Sequence, residues 1–503
     1  MSDTTPHDPL GPEGEPNPAV TSPAIGQDEW VARHHDRRLP PRLGKVEERL
    51  RRVPWWAWLT LFVGGCCLLP VFSSSGYVRL VGFNTVLYML LALGLNVVVG
   101  WGGLLDLGYV AFYGIGAYTY ALLDSSHYGI HMWSIVAIPI VATVGAAAGF
   151  LLGLPSRRLS GDYLAIVTLF FLQLFQTLTL NGDQFFFHLG NVTGGSNGLL
   201  RVDPLDIFGK EIAVQHSGVF AVGYYFIALG FFAVIFVALR FVNHSRTGRA
   251  WRSQREDALA AEVMGMPVNW LKLLSFAFGA TVAALTGVLF ASLNASVFPQ
   301  TFFFVLLITV YTMVILGGQG SQAGVVLGAI IVSVLLELLR SPGHARDLFY
   351  VMLAAGLLFA FRLTWKLLIV CAAIVGFGFA LHAIVHAIDP TWAGKIGAAC
   401  DPTVSICSNW VSSWVVLPDN PASWIAPVSY IGLIAAALAL TVIRGWWRTA
   451  LLVPTIYLAA FVWENVMLAK PEPTRYIVIG VILITLMIVR PNGLLGEKRV
   501  EII

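Results

Sequence analysis

The sequence predicts an all-α integral membrane protein, a bundle of many spanning helices, and two observations carry that expectation. Of its 503 residues, 57% are hydrophobic and only 12% charged, whereas about a quarter of a soluble domain is charged. The apolar residues also gather into blocks such as Trp55 to Phe72, Leu271 to Leu293 and Ile369 to Ile388, each near the roughly 20 helical residues that cross a bilayer core. Backbone facing lipid must bond to itself, which makes helix the default. The short alternating segments of a membrane barrel do not appear.

Taken in order, the chain begins with a segment, residues 1 to 30, that holds Pro6, Pro9, Pro12, Pro16, Pro18 and Pro23 among acidic and small residues. With little to bury, it is expected to be disordered, and it is too polar to be a signal peptide. The basic stretch Arg33 to Arg52 then abuts Trp55, Trp56 and Trp58, an interfacial anchor that puts the N-terminus in the cytosol. From there spans are predicted near 55–72, 80–100, 107–123, 133–154, 163–180, 219–241, 271–293, 302–317, 323–339, 348–361, 367–387, 426–443, 449–463 and 476–489. Counting parity places about three-quarters of the 31 Lys and Arg on the cytosolic side, as positive-inside orientation requires.

Two spans are interrupted by glycine: "GWGGLLDLG" (Gly100 to Gly108) and "GGQGSQAG" (Gly317 to Gly324). Glycine is a poor helix residue, so each is either a tight helical hairpin or irregular backbone lining a substrate path. "RDLFYVMLAAGLLFAFR" (Arg346 to Arg362) is echoed by "TRYIVIGVILITLMIVR" (Thr474 to Arg490). Both place a final span before a cytosolic arginine, and residues 363 to 473 between them read as inserted helices.

The densest run of charge is "SRTGRAWRSQREDALAAEVMG", Ser245 to Gly265. Trp251, Ala258, Leu259 and Met266 fall on one helical face and charges fill most of the rest, which predicts one amphipathic cytosolic helix. It rests either on lipid headgroups or on a protein partner, and the acidic Glu256, Asp257 and Glu262 favour the protein. Asn84, Asn96, Gln173 and Gln176 are polar groups inside apolar spans, serving either as glue between helices or as path lining. Asp162, before Tyr163, suits a helix N-cap. Glu337 near a span end is either an interfacial snorkelling group or a proton carrier.

No G-x-x-x-x-G-K-[ST] sequence exists: Gly44-Lys45, Gly209-Lys210 and Gly394-Lys395 lack the following Ser or Thr. The chain is therefore not expected to hydrolyse ATP by that route, and it is not read as an enzyme. The five cysteines form no C-x-x-C pair, and His382 with His386 lacks a third ligand, so no metal is expected. Cys400 and Cys407 lie in a predicted exported loop, where they are either bridged or free.

Several stretches together carry a family resemblance. "GLNVVVGWGGLLDLGYVAFYGIGAYTYALL" (Gly94 to Leu123), "RLSGDYLAIVTL" (Arg158 to Leu169), "TGGSNGL" (Thr193 to Leu199), "RTGRAWRSQREDALAAEVMGM" (Arg246 to Met266), "VILGGQGSQAGVVLGA" (Val314 to Ala329) and "RPNGLLG" (Arg490 to Gly496) occur in this order. They resemble branched-chain amino-acid ABC transporter permeases of the LivM type, over about residues 78 to 361 and the last twenty or so. The resemblance implies an ABC importer permease fold of about ten spans with about four inserted. Residues 1–52 would precede a permease domain at 53–362 whose cytosolic coupling loop is 243–270; the insertion at 363–473 would carry an exported loop at 389–425, and 474–503 would supply the final span and a cytosolic tail. It further implies a bacterial plasma-membrane location, no cofactor bound directly, ATP used by two cytosolic ATPase subunits, a second permease of the H type, and an exported substrate-binding protein. No nucleic acid is expected.

The charged run then becomes the ATPase-coupling segment, with Arg252, Glu256, Asp257, Leu259, Ala260, Ala261 and Gly265 as its contact residues. ABC importers resemble an E-A-A-x-x-x-G pattern here, and Leu259, Ala260, Ala261 and Gly265 occupy those places with leucine replacing glutamate. Asn96, Gly102, Gly103, Gln173, Gly317 and Gly318 are the expected substrate path, and Thr193, Gly194, Gly195 and Asn197 the expected docking loop for the binding protein. The substrate would be a branched-chain amino acid or a related small amide such as urea. An ion-coupled secondary transporter is the alternative; it would need intramembrane carboxylates, of which the sequence offers few.

Overall fold

A computed structural model describes residues 54–72, 77–125, 129–157, 159, 161–182, 192–207, 210–211, 219–361, 365–388, 414–416, 424–443, 445–467, 471–489 and 493–496. The N-terminal segment 1–52, most of the loop at 389–425 with Cys400 and Cys407, and the end of the tail lie outside the described residues. The chain separates into two compact units, one ending at Leu68 and one starting at Leu69. Helix α1, Trp55–Phe72, belongs mostly to the first.

The apolar blocks form helices close to where the sequence expects them. The second unit contains α2 (Asn84–Leu95), flanked by π-helical turns Val78–Phe83 and Asn96–Trp101; α3 (Tyr109–Leu123); the short strands β1 (Asp124–Ser125) and β2 (Ile130–His131); α4 (Ser134–Ser156); and α5 (Asp162–Leu180). After β3 (Leu199–Leu200), β4 (Asp206–Ile207) and β5 (Lys210–Glu211) come α6 (Val219–His244), α7 (Arg246–Glu256), α8 (Ala258–Val263) and α9 (Val268–Asn294). Then follow β6 (Ser296–Val297), α10 (Phe304–Gly317), α11 (Gln322–Leu338), α12 (Pro342–Phe361), α13 (Trp365–Ile388), α14 (Ile425–Val442), α15 (Trp446–Val462) and α16 (Pro471–Val489). By length and composition, seven helices among the described residues suffice to cross a membrane, or eight if α11 and α12, bent by 119° at their break, count as one span.

The centre of the bundle is α9, with α2, α3 and α4 against it. Small residues make this possible: a Cβ added at Gly116 of α3 would sit 2.3 Å from the Ala284 backbone of α9, and one at Gly145 of α4 would sit 2.5 Å from the Ala284 side chain. In lipid no hydrophobic drive joins helices, so such close approach supplies the dispersion contact that holds them. A tyrosine and phenylalanine cluster, Tyr113, Tyr118, Phe175, Phe290 and Phe302, fills the neighbouring space edge to face.

Two local expectations are corrected. The charged run is two helices, because Asp257 leaves helical geometry and its carboxylate accepts from Leu259 N (2.9 Å) and Ala260 N (3.0 Å), capping α8. Asp162 is not an N-cap: Gly161, at φ 57°, holds that position and Asp162 is the first helical residue, where its charge still complements the helix dipole.

The helices that follow α12 are tied to it by a buried ion pair. Arg346 donates to Glu464 through Nε (2.9 Å) and Nη2 (2.6 Å), with both side chains 1% exposed. Tyr350 OH adds a 3.3 Å hydrogen bond and Phe349 stacks on Trp463 at 4.6 Å. Removing one partner leaves an uncompensated buried charge, at a cost of about 3 to 5 kcal/mol. Glu464→Ala should therefore lower the unfolding temperature in detergent, and the apolar double replacement Arg346→Met with Glu464→Leu should restore much of the loss. A Glu464→Ala protein as stable as the parent would show that the pair does not fasten these helices.

Candidate functional site

Lipid-buried backbone that leaves helical geometry needs partners for its amides and carbonyls, and the two glycine breaks find them in each other and in the charged hairpin α7–α8. After Trp101 the chain turns out of its π-helical stretch through Gly102 and Gly103; after α10 it turns through Gly318, at φ 109°, a conformation for which glycine is suited. Trp101 Nε1 donates to Gly320 O (2.9 Å) and Asn96 Oδ1 accepts from Gly320 N (2.9 Å), so one break is bonded to the other. The tail closes the far side, with Leu494 N donating to Leu316 O (2.9 Å) and Leu495 N to Gly317 O (3.0 Å).

Helix α7 enters this arrangement from outside the apolar core. Ser245 caps it, accepting from Gly248 N. Trp251, fully buried, stacks on Trp101 with centroids 6.4 Å apart and donates to Leu271 O of α9 (2.8 Å). One turn on, Gln254 Nε2 donates to Gly102 O (3.1 Å), and Arg255 Nη1 donates to Gly100 O. A Cβ at Gly320 would lie 2.8 Å from the same Arg255 nitrogen, so the guanidinium sits between the two breaks. The charged run thus holds both irregular backbones with side-chain donors.

The outward side of the hairpin differs in character. Leu259 is 73%, Val263 81% and Met264 82% exposed, whereas Ala261 is 2% exposed and faces into the chain. Glu256, Asp257, Ala260 and Gly265 are at the surface, and Arg252 donates to Asn243 O (3.1 Å). Sequence reasoning missed Trp101, Gln254 and Arg255 as a group. Their only signal was a tryptophan in a charged run, because the contacts span more than 150 residues of sequence.

Of the expected path residues, Asn96, Gly102, Gly317 and Gly318 come together in this packed region; Gly103 is exposed beside Arg255; Gln173 faces away from the bundle. Gln176, also noted in the sequence, donates to Phe302 O (3.1 Å). In the same region Asp106 is fully buried: its Oδ1 accepts from Gly108 N (2.8 Å), and Oδ2 has no partner among the described residues.

The opposite end of the bundle carries the loop Thr193 to Leu199. Thr193 is buried and donates to Thr179 O (2.8 Å), Gly195 is buried, and Asn197 is exposed. Strand β3 pairs with β6, so the loop is knitted to the end of α9. Nearby is an open cavity of about 470 Å³, bounded by the first turn of α2, the last turns of α9 and α11, the start of α10 and the first turns of α16. Also at this end, Asp124, His131 and Asp203 place ligand-type atoms within 4.8 Å of one another; His131 and Asp203 form an ion pair. Among the described residues, His382 and His386 stack on each other at 6.4 Å without joining such a group.

A multi-pass helical bundle whose charged hairpin grips two breaks in its spans is the architecture of a membrane transport protein. Residues 81–361 fit the family described as branched-chain amino acid transport system, permease component, and the chain belongs to that family. It is 38% identical over 314 residues to the high-affinity branched-chain amino acid transport system permease proteins LivM of Salmonella typhimurium and of Escherichia coli, covering 59% of this chain and 70% of each relative. It is 26% identical to the LivH permease protein of Escherichia coli, over 49% of this chain and 80% of that one. No solved structure matches it.

The acidic cluster at the second end makes stability depend on pH. Burial first, with Asp203 and Asp206 adding to it, raises Asp124 from 3.8 to about 6. The hydrogen bond and charge of Asp203 raise His131. Both shifts are upward, so the stability they contribute is present at low pH and is lost as pH rises through the folded-state values. The unfolding temperature in detergent should fall as pH rises from about 4 to above 7. Asp124→Asn should flatten the lower part of that slope and Asp203→Asn the upper part; unchanged slopes would assign the dependence to other groups.

Proposed function

We propose that this chain is one permease subunit of an ATP-driven importer of branched-chain amino acids in a bacterial plasma membrane, working by alternating access with its N-terminus in the cytosol. It pairs with a second permease of the H type, receives substrate from an exported binding protein near the Thr193 loop, and docks two cytosolic ATPases, one of them on α7–α8. The names of its relatives, permease proteins of two kinds from branched-chain amino acid transport systems, support the pairing and the substrate. The observation that carries the reading is the two-sided hairpin. Its outer side offers Leu259, Val263 and Met264 among charges, which suits a protein groove; its inner side holds Gly100 through Arg255 and Gly102 through Gln254, and its Trp251 stacks on Trp101, which holds the Gly320 turn. A partner that moves the hairpin moves both breaks.

One observation favours a second reading, an ion-coupled transporter: buried Asp106, with an unpartnered oxygen, is the kind of intramembrane carboxylate that carries protons. Energy source separates the two. In membrane vesicles, leucine uptake should require ATP and survive a protonophore; uptake that ignores ATP and collapses with the protonophore would transfer the mechanism to Asp106.

Side and strength of coupling are tested by two variants of different kinds. Leu259→Glu with Met264→Glu should abolish co-purification of the ATPases, because a charge is buried in the groove without a partner. Arg255→Ala should keep the ATPases bound but cut uptake about tenfold or more, the scale of one lost charge-assisted bond. A Leu259→Glu, Met264→Glu protein that keeps its ATPases and its uptake would remove the hairpin from the coupling role.

A further inference from the structure

At the end that carries the Thr193 loop, three chain segments meet through backbone hydrogen bonds, and each presents a side chain with a metal-ligand atom. Asp124 of β1 lies directly opposite His131 of β2 in their antiparallel pair, where side chains on one face meet. The third segment comes from much further along the chain: Ser125 bridges to Val202, and Asp203 N donates to Asp124 O (3.0 Å). Carboxylate oxygens of Asp124 and Asp203 and a ring nitrogen of His131 thereby lie within 4.8 Å of one another. The backbone pairing fixes this meeting point, so the three side chains are gathered before any ligand arrives.

An ion pair between His131 and Asp203 accounts for two of the three groups. Asp124 is the one it leaves over. That residue is 3% exposed, Asp203 and Asp206 act on it as like charges, and the opposing charge is that of the His131 already paired with Asp203. Buried charges are as a rule paired or coordinated to metal. Tyr120 OH donates to Asp124 Oδ2 (2.8 Å), the kind of outer hydrogen bond that orients a ligating carboxylate. The His131 and Asp203 side chains are 58% and 38% exposed, which gives an ion a way in and water the remaining coordination positions.

The donor set selects among cations. Calcium and magnesium take oxygen ligands, whereas an imidazole nitrogen beside carboxylate oxygens suits zinc and its transition-metal neighbours. Zinc bonds of about 2.0 to 2.2 Å put tetrahedral ligand atoms roughly 3.4 Å apart, a closure within reach of the two exposed side chains. We propose that Asp124, His131 and Asp203 bind one divalent metal ion of the zinc class, which clips the β1–β2 connection between α3 and α4 to the segment between β3 and β4. Binding displaces the proton that joins His131 to Asp203, because imidazole ligates through a free ring nitrogen. The site stands apart from the importer reading and holds whatever the chain transports.

The test uses the full chain in detergent, without a polyhistidine tag, with all five cysteines replaced by serine and with metal removed by a chelator. After the chelator is dialysed away, calorimetric titration with zinc should show one site. His131→Ala, Asp203→Asn and Asp124→Asn should each weaken that site about tenfold or more, whereas His382→Ala with His386→Ala should leave it unchanged. Zinc should raise the unfolding temperature of the parent and not that of His131→Ala; the pH series described above is run in chelator, so that it reports the metal-free chain. His131→Ala and Asp203→Asn change partly exposed side chains, so they decide the outcome if the buried Asp124→Asn loses its fold. Absence of zinc binding in the parent, parental affinity in both His131→Ala and Asp203→Asn, or an affinity for magnesium or calcium equal to that for zinc would each overturn the site.

Discussion

Every peptide group in a lipid-buried segment must find a hydrogen-bond partner inside the protein, and the organisation of this chain follows from how it meets that demand where its helices stop short. The breaks after Trp101 and Gly317 expose carbonyls and amides in mid-bundle. They are satisfied by side chains of one another's elements, by the tail at Leu494 and Leu495, and by Gln254 and Arg255 of a hairpin whose outer side faces away from the bundle. The same bonds that make the breaks tolerable therefore connect them to α7. Straight α-helices through this region would need no such donors, and a charged hairpin beside them would find no open backbone groups to bond.

That constraint also explains which features were legible in the sequence. Helix positions were readable from blocks of apolar residues, because length and hydropathy alone decide whether a segment spans. The glycine clusters were readable as breaks for the same reason that glycine is scarce inside helices. What could not be read was who satisfies the breaks: Gln254 and Gly102 are 152 residues apart and Trp101 and Gly320 are 219 apart, and nothing local records such a pairing. The split of the charged run at Asp257 was hidden because an aspartate suits either the polar face of one helix or the cap of the next. Ala261 was expected to face an ATPase as a small docking residue, yet burial within the chain claims it, and the exposed face belongs to Leu259, Val263 and Met264.

The segment after α12, beyond the residues that match the family, shows how further helices are tied to the bundle. Its helices meet α12 through Arg346 and Glu464, a pair whose desolvation is offset by bidentate geometry and by Tyr350. Both partners lie close to boundaries, Arg346 near the start of α12 and Glu464 just after α15. The chain leaves that anchor and enters α16, which packs on α10 and brings Arg475 and Tyr476 to the cavity.

The two ends of the bundle differ in how tightly they are held. At the hairpin end Trp101 and Trp251 are fully buried and stacked, and Arg255 is engaged with backbone, so this end is sealed in the conformation described. At the other end the charges of Glu337 and Arg340 are half-exposed, weakly paired, and border open volume. Opening the sealed end requires separating Arg255 and Gln254 from carbonyls that have no alternative partners in lipid, at about the cost of unsatisfied buried groups. The Glu337–Arg340 contact at the open end, 3.7 Å and partly exposed, is much the weaker of the two. Of the two ends, the hairpin end is therefore the more tightly held, because its side-chain donors satisfy backbone groups that lipid cannot.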